Sequence, residues 1–152
     1  MVSEYLNKEI RDRSVIARDL VGSTQGGWDQ ASVIADSLDV VFAVMVYDLE
    51  TAALTLDYTS MHSWAMTGYW PRELAGKGID VLFDCEHPDH VLSEIIEDLK
   101  DTGCADKCVL CRRKDGAPFG CHILAHRAKD GATNKQVLYH TFLSECDISA
   151  CH

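Results

Sequence analysis

Seven cysteines and seven histidines in 152 residues carry most of the chain's versatile chemistry. Cys104, Cys108 and Cys111 follow C-x3-C-x2-C spacing. Zinc or an iron–sulfur cluster needs about four convergent thiolate or imidazole ligands. On a regular strand, however, side chains three apart point to opposite faces, so Cys108 and Cys111 would diverge. Small buried thiols filling gaps in a core are the simpler account. Cys146, Cys151 and His152 read C-x4-C-H, a haem-attachment spacing that occurs once and outside any export context. Coincidence is the better explanation there. His87 and His90 flank the start of one helix and are expected to be exposed or capping. His122 and His126 share one face of a strand, expected to be open surface or a dimer face.

No paired-carboxylate, Ser-His-Asp, phosphate-loop or HExxH arrangement is present, and an enzyme is not expected. The catalytic alternative is a thiol enzyme, in which one cysteine would react far faster than the rest. Net charge is −10, with 24 acidic against 14 basic residues. That balance argues against nucleic acid as a partner, because phosphates are bound by Lys and Arg. It disfavours an anionic membrane surface for the same reason. No apolar run reaches the roughly 18 residues of a membrane span. Residues Met1 to Leu20 mix charges into their apolar positions, unlike a signal peptide. The expected location is cytoplasmic, where thiols read as buried groups, metal ligands or redox groups before they read as a disulfide frame.

These side chains must be positioned by a chain whose length suits one domain and whose balance is 47% apolar and 25% charged. Residues 3–21 carry Leu6, Ile10, Ala17 and Leu20 at helical spacing. A Gly-rich break follows, so residues 1–27 read as an appended helix and linker and 28–152 as the body. A short helix is predicted from Asp29, as N-cap, to Leu38. Val40–Tyr47 is a continuous β-type run, and Leu54–Tyr58 completes a hairpin. Short helical pieces over Ser60–Tyr69 and from Pro71 precede a longer helix over His90–Thr102, closed by Gly103. Strands over Lys107–Arg113, Phe119–Ala128 and Val137–Cys146 are separated by turns at Asp115-Gly116 and Asp130–Asn134. Hairpins at both ends with helices between them define an α+β class with an antiparallel sheet.

This order and its punctuation resemble the PAS domain, a sensory signalling module, from about Ser32 to Ser149. Ile34–Leu38 looks like the lead-in to the first PAS strand. Thr67-Gly68-Tyr69 with Glu73-Leu74 is similar to the family's "TGY…EEL" segment, and His87-Pro88-Asp89 matches its "HPD". Arg112-Arg113-Lys114-Asp115-Gly116 matches "RRKDG", and Asp147-Ile148-Ser149 stands where the family has "D-I-T". Ser60 departs from the Asn of many members.

The resemblance implies a five-stranded antiparallel sheet curled over short helices around an apolar pocket. The pocket would be lined by Val44, Trp64, Met66, Ile95, Val109, Cys111, Cys121 and Ile123. It implies a signal relay through Asp147, Ile148 and Ser149 to an output domain, such as a kinase, cyclase or transcription regulator, or to a separate partner. It also implies a homodimer through the N-terminal helix and the sheet, with Leu6, Ile10 and Leu20 as helix contacts. The stripe is too short to be stable alone, so either a second copy or the chain's own sheet must cover it. The resemblance names no cofactor. A flavin-adduct photosensor is not expected, since Gly78–Phe83 lacks the reactive-cysteine motif and Cys85 comes slightly later. The alternative sensor is a cysteine-based redox, metal or haem module, with Cys111 and Cys121 as a pocket thiol pair.

Overall fold

A computed structural model describes the backbone of residues 2–23 and 27–151, and their side chains apart from those of 2–12, 130 and 150. Five strands make one antiparallel sheet: β1 (Val41–Asp48), β2 (Leu54–Thr59), β3 (Cys104–Arg112), β4 (Pro118–Ala132) and β5 (Gln136–Cys146). Their spatial order is β2-β1-β5-β4-β3, so the last strand is central. The helices are α1 (Val2–Ser23), α2 (Trp28–Ser37), α3 (His62–Thr67), α4 (Pro71–Leu74) and α5 (Pro88–Thr102). The α+β class and the five-stranded antiparallel sheet are those expected.

Local chemistry sets the boundaries. Asp48 Oδ1 accepts hydrogen bonds from the Glu50 and Thr51 amides, 2.8 and 2.9 Å away, and turns β1 toward β2. Gly68 and Gly103 end α3 and α5 in the left-handed region, at φ +79° and +77°. Immediately after Gly103, Cys104 pairs with His126, so β3 starts before the predicted Lys107. Pro88 sits at the first position of α5, where a missing N–H costs nothing. Gly27, rather than Asp29, is the N-cap of α2.

Both faces of the sheet are buried, which is why β1 reads as an unbroken apolar run. On the inner face Val41, Ala43, Met45 and Tyr47 pack with Leu56 and with Met66, Leu74, Ile95 and Leu99 from the helices. On the outer face Phe42, Val44, Leu124 and Phe142 pack against Ala17 of α1 and Ala31 and Ala35 of α2. Between the two candidate covers for α1, the structure has the chain's own sheet. Ser14 Oγ lies 2.7 Å from Ser144 Oγ of β5, and Ala17 is fully buried. These small side chains let the helix sit close to the strand. Leu20 points elsewhere, 47% exposed like Ile16. The side chains of Leu6 and Ile10 lie outside the described residues. Among the described residues no helix is long and apolar enough to cross a membrane.

Candidate functional site

The inner core is where the expected lining residues meet. β3 contributes Val109 and Cys111, β4 contributes Cys121 and Ile123, α3 contributes Met66 and α5 contributes Ile95. Each is 3% exposed or less. The strand register accounts for the grouping: Val109 pairs with Cys121, and alternate residues of each strand share a face.

Two expected residues belong elsewhere. Val44 is in the outer cluster, beneath the N-terminal helices, because it pairs with His140 while its neighbours Ala43 and Met45 take the inner face. Met45, fully buried inside, takes the position assigned to Val44. In an all-apolar strand no polar residue marks the outer side, so only pairing reveals the facing. Trp64 is 51% exposed and stacks on Trp70, with ring centroids 5.1 Å apart. Its ring finds an aromatic partner outside the core. Leu56, Leu82 and Leu99 also line the inner core and were missed. Leu99 follows Ile95 by one helical turn, a signal already present in the spacing.

The thiols separate by face. Cys111 and Cys121 sit inside, at most 1% exposed. Their hydrogen bond, followed by burial, pushes the Cys121 thiol well above its ordinary range. Cys108 registers with His122 on the other face, so the C-x3-C-x2-C run straddles the sheet. Among the described residues no group of three or more His, Cys, Asp or Glu side chains is placed to hold a metal ion.

His122 is not at the surface as expected. It is 1% exposed, with Nε2 2.6 Å from Asp106 Oδ1. His126, four residues along the same strand, is half-buried and edge-on to His140 at 5.6 Å. Burial, with lesser contributions from His140 and Arg18, lowers the pKa of His126 to about 4. Burial lowers His140 too. The sheet's outer face looked polar in sequence because these rings alternate with apolar residues, yet α1 lies across it. His90 is exposed and pairs with Glu94 at 3.1 Å, as its place at a helix start predicts.

The scattered motifs meet in space. Gly68 approaches the β3–β4 turn so closely that a Cβ there would lie 3.2 Å from Lys114 Cβ. The Lys114 amide donates to the Thr67 carbonyl at 2.9 Å, and Lys114 Nζ reaches Glu73 at 2.7 Å. Arg113 donates to the Met66 carbonyl and pairs with Glu145 at 2.8 Å. Arg112 binds Asp84 through both carboxylate oxygens. These links tie the short helices to the sheet. Ser60, in the position of the usual Asn, is 1% exposed and accepts the Phe42 amide at 3.0 Å. Past β5, Asp147 Oδ1 accepts from the Ser149 amide and hydroxyl, at 2.8 and 2.6 Å, and caps a 3-10 turn over Ile148–Ala150. Both bonds hold the Asp147 carboxyl below its usual range.

A sequence profile described as "PAS domain" matches residues 44–144. The fold is similar to a PAS domain from Colwellia psychrerythraea, with TM-score 0.59 and 17% identity, covering 77% of this chain and 93% of that one. A light-oxygen-voltage domain studied with a flavin analogue gives 0.63 at 20% identity, covering 81% and 90%. The light-oxygen-voltage domain of a blue-light activated histidine kinase from Erythrobacter litoralis gives 0.54 at 16%, covering 68% and 94%. No curated protein matches the chain in sequence.

Proposed function

The chain belongs to the PAS domain family, and from that premise we propose that it is a sensory module in which a change within the inner core is relayed through β5. Position supports this reading. On its inner side β5 places Tyr139 and Leu143 in the core. On its outer side it carries α1 through Phe142 and Ser144. At its end it runs directly into Asp147, Ile148 and Ser149. One strand therefore touches the input and both routes of output. A ligand that favours one packing of Ile95, Val109, Cys111, Cys121 and Ile123 would bias α1 and the Asp147 turn together. The recipient is an output domain or a separate partner. The N-terminal helix and the body beginning at Trp28 act as one unit in this scheme. A cytoplasmic setting suits seven cysteines that form no disulfide.

A second copy of the chain fits the outward side of α1. Its own sheet is already covered, and Ile16 and Leu20 remain exposed. Leu20→Asp is expected to lower the mass of the particle in light scattering to that of one chain. A wild-type chain that already runs as a monomer at high concentration removes the dimer from the scheme.

Ile95→Ala tests the relay, since it changes the inner core without touching α1. Amide exchange is expected to quicken in residues 13–23 and 147–151 as well as around the substitution. Faster exchange confined to α5 and β3 would end the relay reading. Native mass spectrometry of protein taken straight from cells reports any retained small molecule.

A further inference from the structure

Cys146 and Cys151 stand on either side of the Asp147–Ser149 turn, with Sγ atoms 3.8 Å apart. That is about 1.7 Å more than a disulfide bond, a gap that side-chain rotation covers. Gly120 of β4 makes the arrangement fit. A Cβ there would lie 2.9 Å from Cys151 Sγ and 3.0 Å from Cys146 Sγ. Cys146 is 8% exposed and hydrogen-bonded to Cys108, whereas Cys151 is half-buried and lines an open groove with Asp84, Cys85, Glu86, Leu110 and Ile148. The outer thiol meets solvent and the inner one waits behind it.

We propose that Cys146 and Cys151 form a thiol–disulfide modification site for a hydroperoxide, and that the bond staples the turn through which β5 leaves the sheet. The Cys151 thiolate attacks one peroxide oxygen, the O–O bond breaks, and the departing oxygen takes up a proton as water or an alcohol. Cys151 is then a sulfenic acid. The sulfur of Cys146 attacks it, the S–S bond forms, and the sulfenic oxygen leaves as water with the Cys146 proton. Two thiols are oxidised and one peroxide is reduced, with no other reactant. Electrostatics assigns the same roles. The bond to Cys108, then burial, drives the Cys146 thiol far above its ordinary range; burial raises Cys151 too, an effect that the hydrogen bond from Cys146 partly offsets, so the proton is held more firmly on Cys146. The bond itself does not depend on the sensory reading; only its effect on the relay does.

The test uses the reduced 152-residue chain, treated with hydrogen peroxide, blocked with a maleimide and digested with trypsin. Cleavage after Lys135 leaves Cys146 and Cys151 in one peptide, while Cys108 and Cys111 share another and Cys85 lies in a third. The expected product is the Gln136–His152 peptide lighter by two hydrogens and unlabelled. Cys146→Ser is expected to leave Cys151 as a sulfenic acid trapped by dimedone, and Cys151→Ser to leave Cys146 labelled by the maleimide. Persistence of both thiols while other cysteines oxidise, or a cross-link to the Cys108 or Cys85 peptide, would overturn the site. If the disulfide forms and exchange at residues 147–151 and in α1 stays unchanged, the chemistry stands and its link to the relay fails.

Discussion

At the scale of single residues, environment rather than type decides the chemistry. Cys111 and Cys121 are sealed in the core, while Cys151 lines a groove with Cys146 buried behind it, although sequence spacing drew attention first to Cys104, Cys108 and Cys111. The same holds for the histidines. His90 stands exposed beside Glu94, whereas His126 is held near pKa 4 against its ordinary 6.5 by burial under α1. A depressed histidine pKa costs stability only where the unfolded chain takes up a proton that the folded chain refuses. Above pH 6.5 both states are neutral. As pH falls from 6.5 toward 4 the folded state is expected to lose about 2 kcal/mol, discounted because the ring is partly exposed. His140, lowered by burial, adds in the same direction. Urea midpoints at pH 7 and pH 5 measure the loss, and His126→Phe is expected to flatten it. An equally steep slope in that variant would show that other groups carry the effect.

At the scale of elements, the segments that announced themselves were those with local instructions. The helix α5 was legible because Val91, Leu92, Ile95, Ile96 and Leu99 repeat at helical spacing and Gly103 stops it. The β3–β4 turn was legible in Asp115-Gly116, where Asp115 accepts the Ala117 amide and Gly116 takes φ +93°. For α1 the helix was legible and its contact face only in part: Ala17 of the predicted stripe is fully buried, whereas Leu20 is not. Leu20 was the better hydrophobe, yet Ser14 and Ala17 face the sheet, because close approach to β5 rewards small side chains over greasy ones. Ala17→Asp would bury a carboxylate among Phe42 and Phe142, at a cost of several kcal/mol. Amide protection in residues 13–23 is expected to collapse while the sheet retains its own. Unchanged protection of α1 would mean that the helix is held by something other than this seat.

At the scale of the whole molecule, one sheet serves two cores. The inner core holds Ile95 fully buried, and the outer core holds Phe142 fully buried, on opposite sides of the same strands. Truncating either should therefore weaken one cooperative unit. Ile95→Ala is expected to cost about 2–5 kcal/mol and Phe142→Ala about 3–5 kcal/mol. Each should shift a single transition seen alike by fluorescence and circular dichroism. A separate early transition for α1 and α2 in Phe142→Ala would divide the molecule into two units.

Sequence alone determined the order of elements, the antiparallel class and the family likeness. Those rest on local backbone preferences and short-range spacing: a glycine where φ must be positive, a proline at a helix start, an aspartate folding back on its own amides. Which side of Val40–Tyr47 looks inward, which helix covers the other side, and which thiols end up neighbours were decided by tertiary structure. Facing and proximity come from pairing between strands far apart in the chain, and an all-apolar strand has no polar residue to mark its outer side. That is why Val44 and Trp64 lie away from the site to which the sequence assigned them.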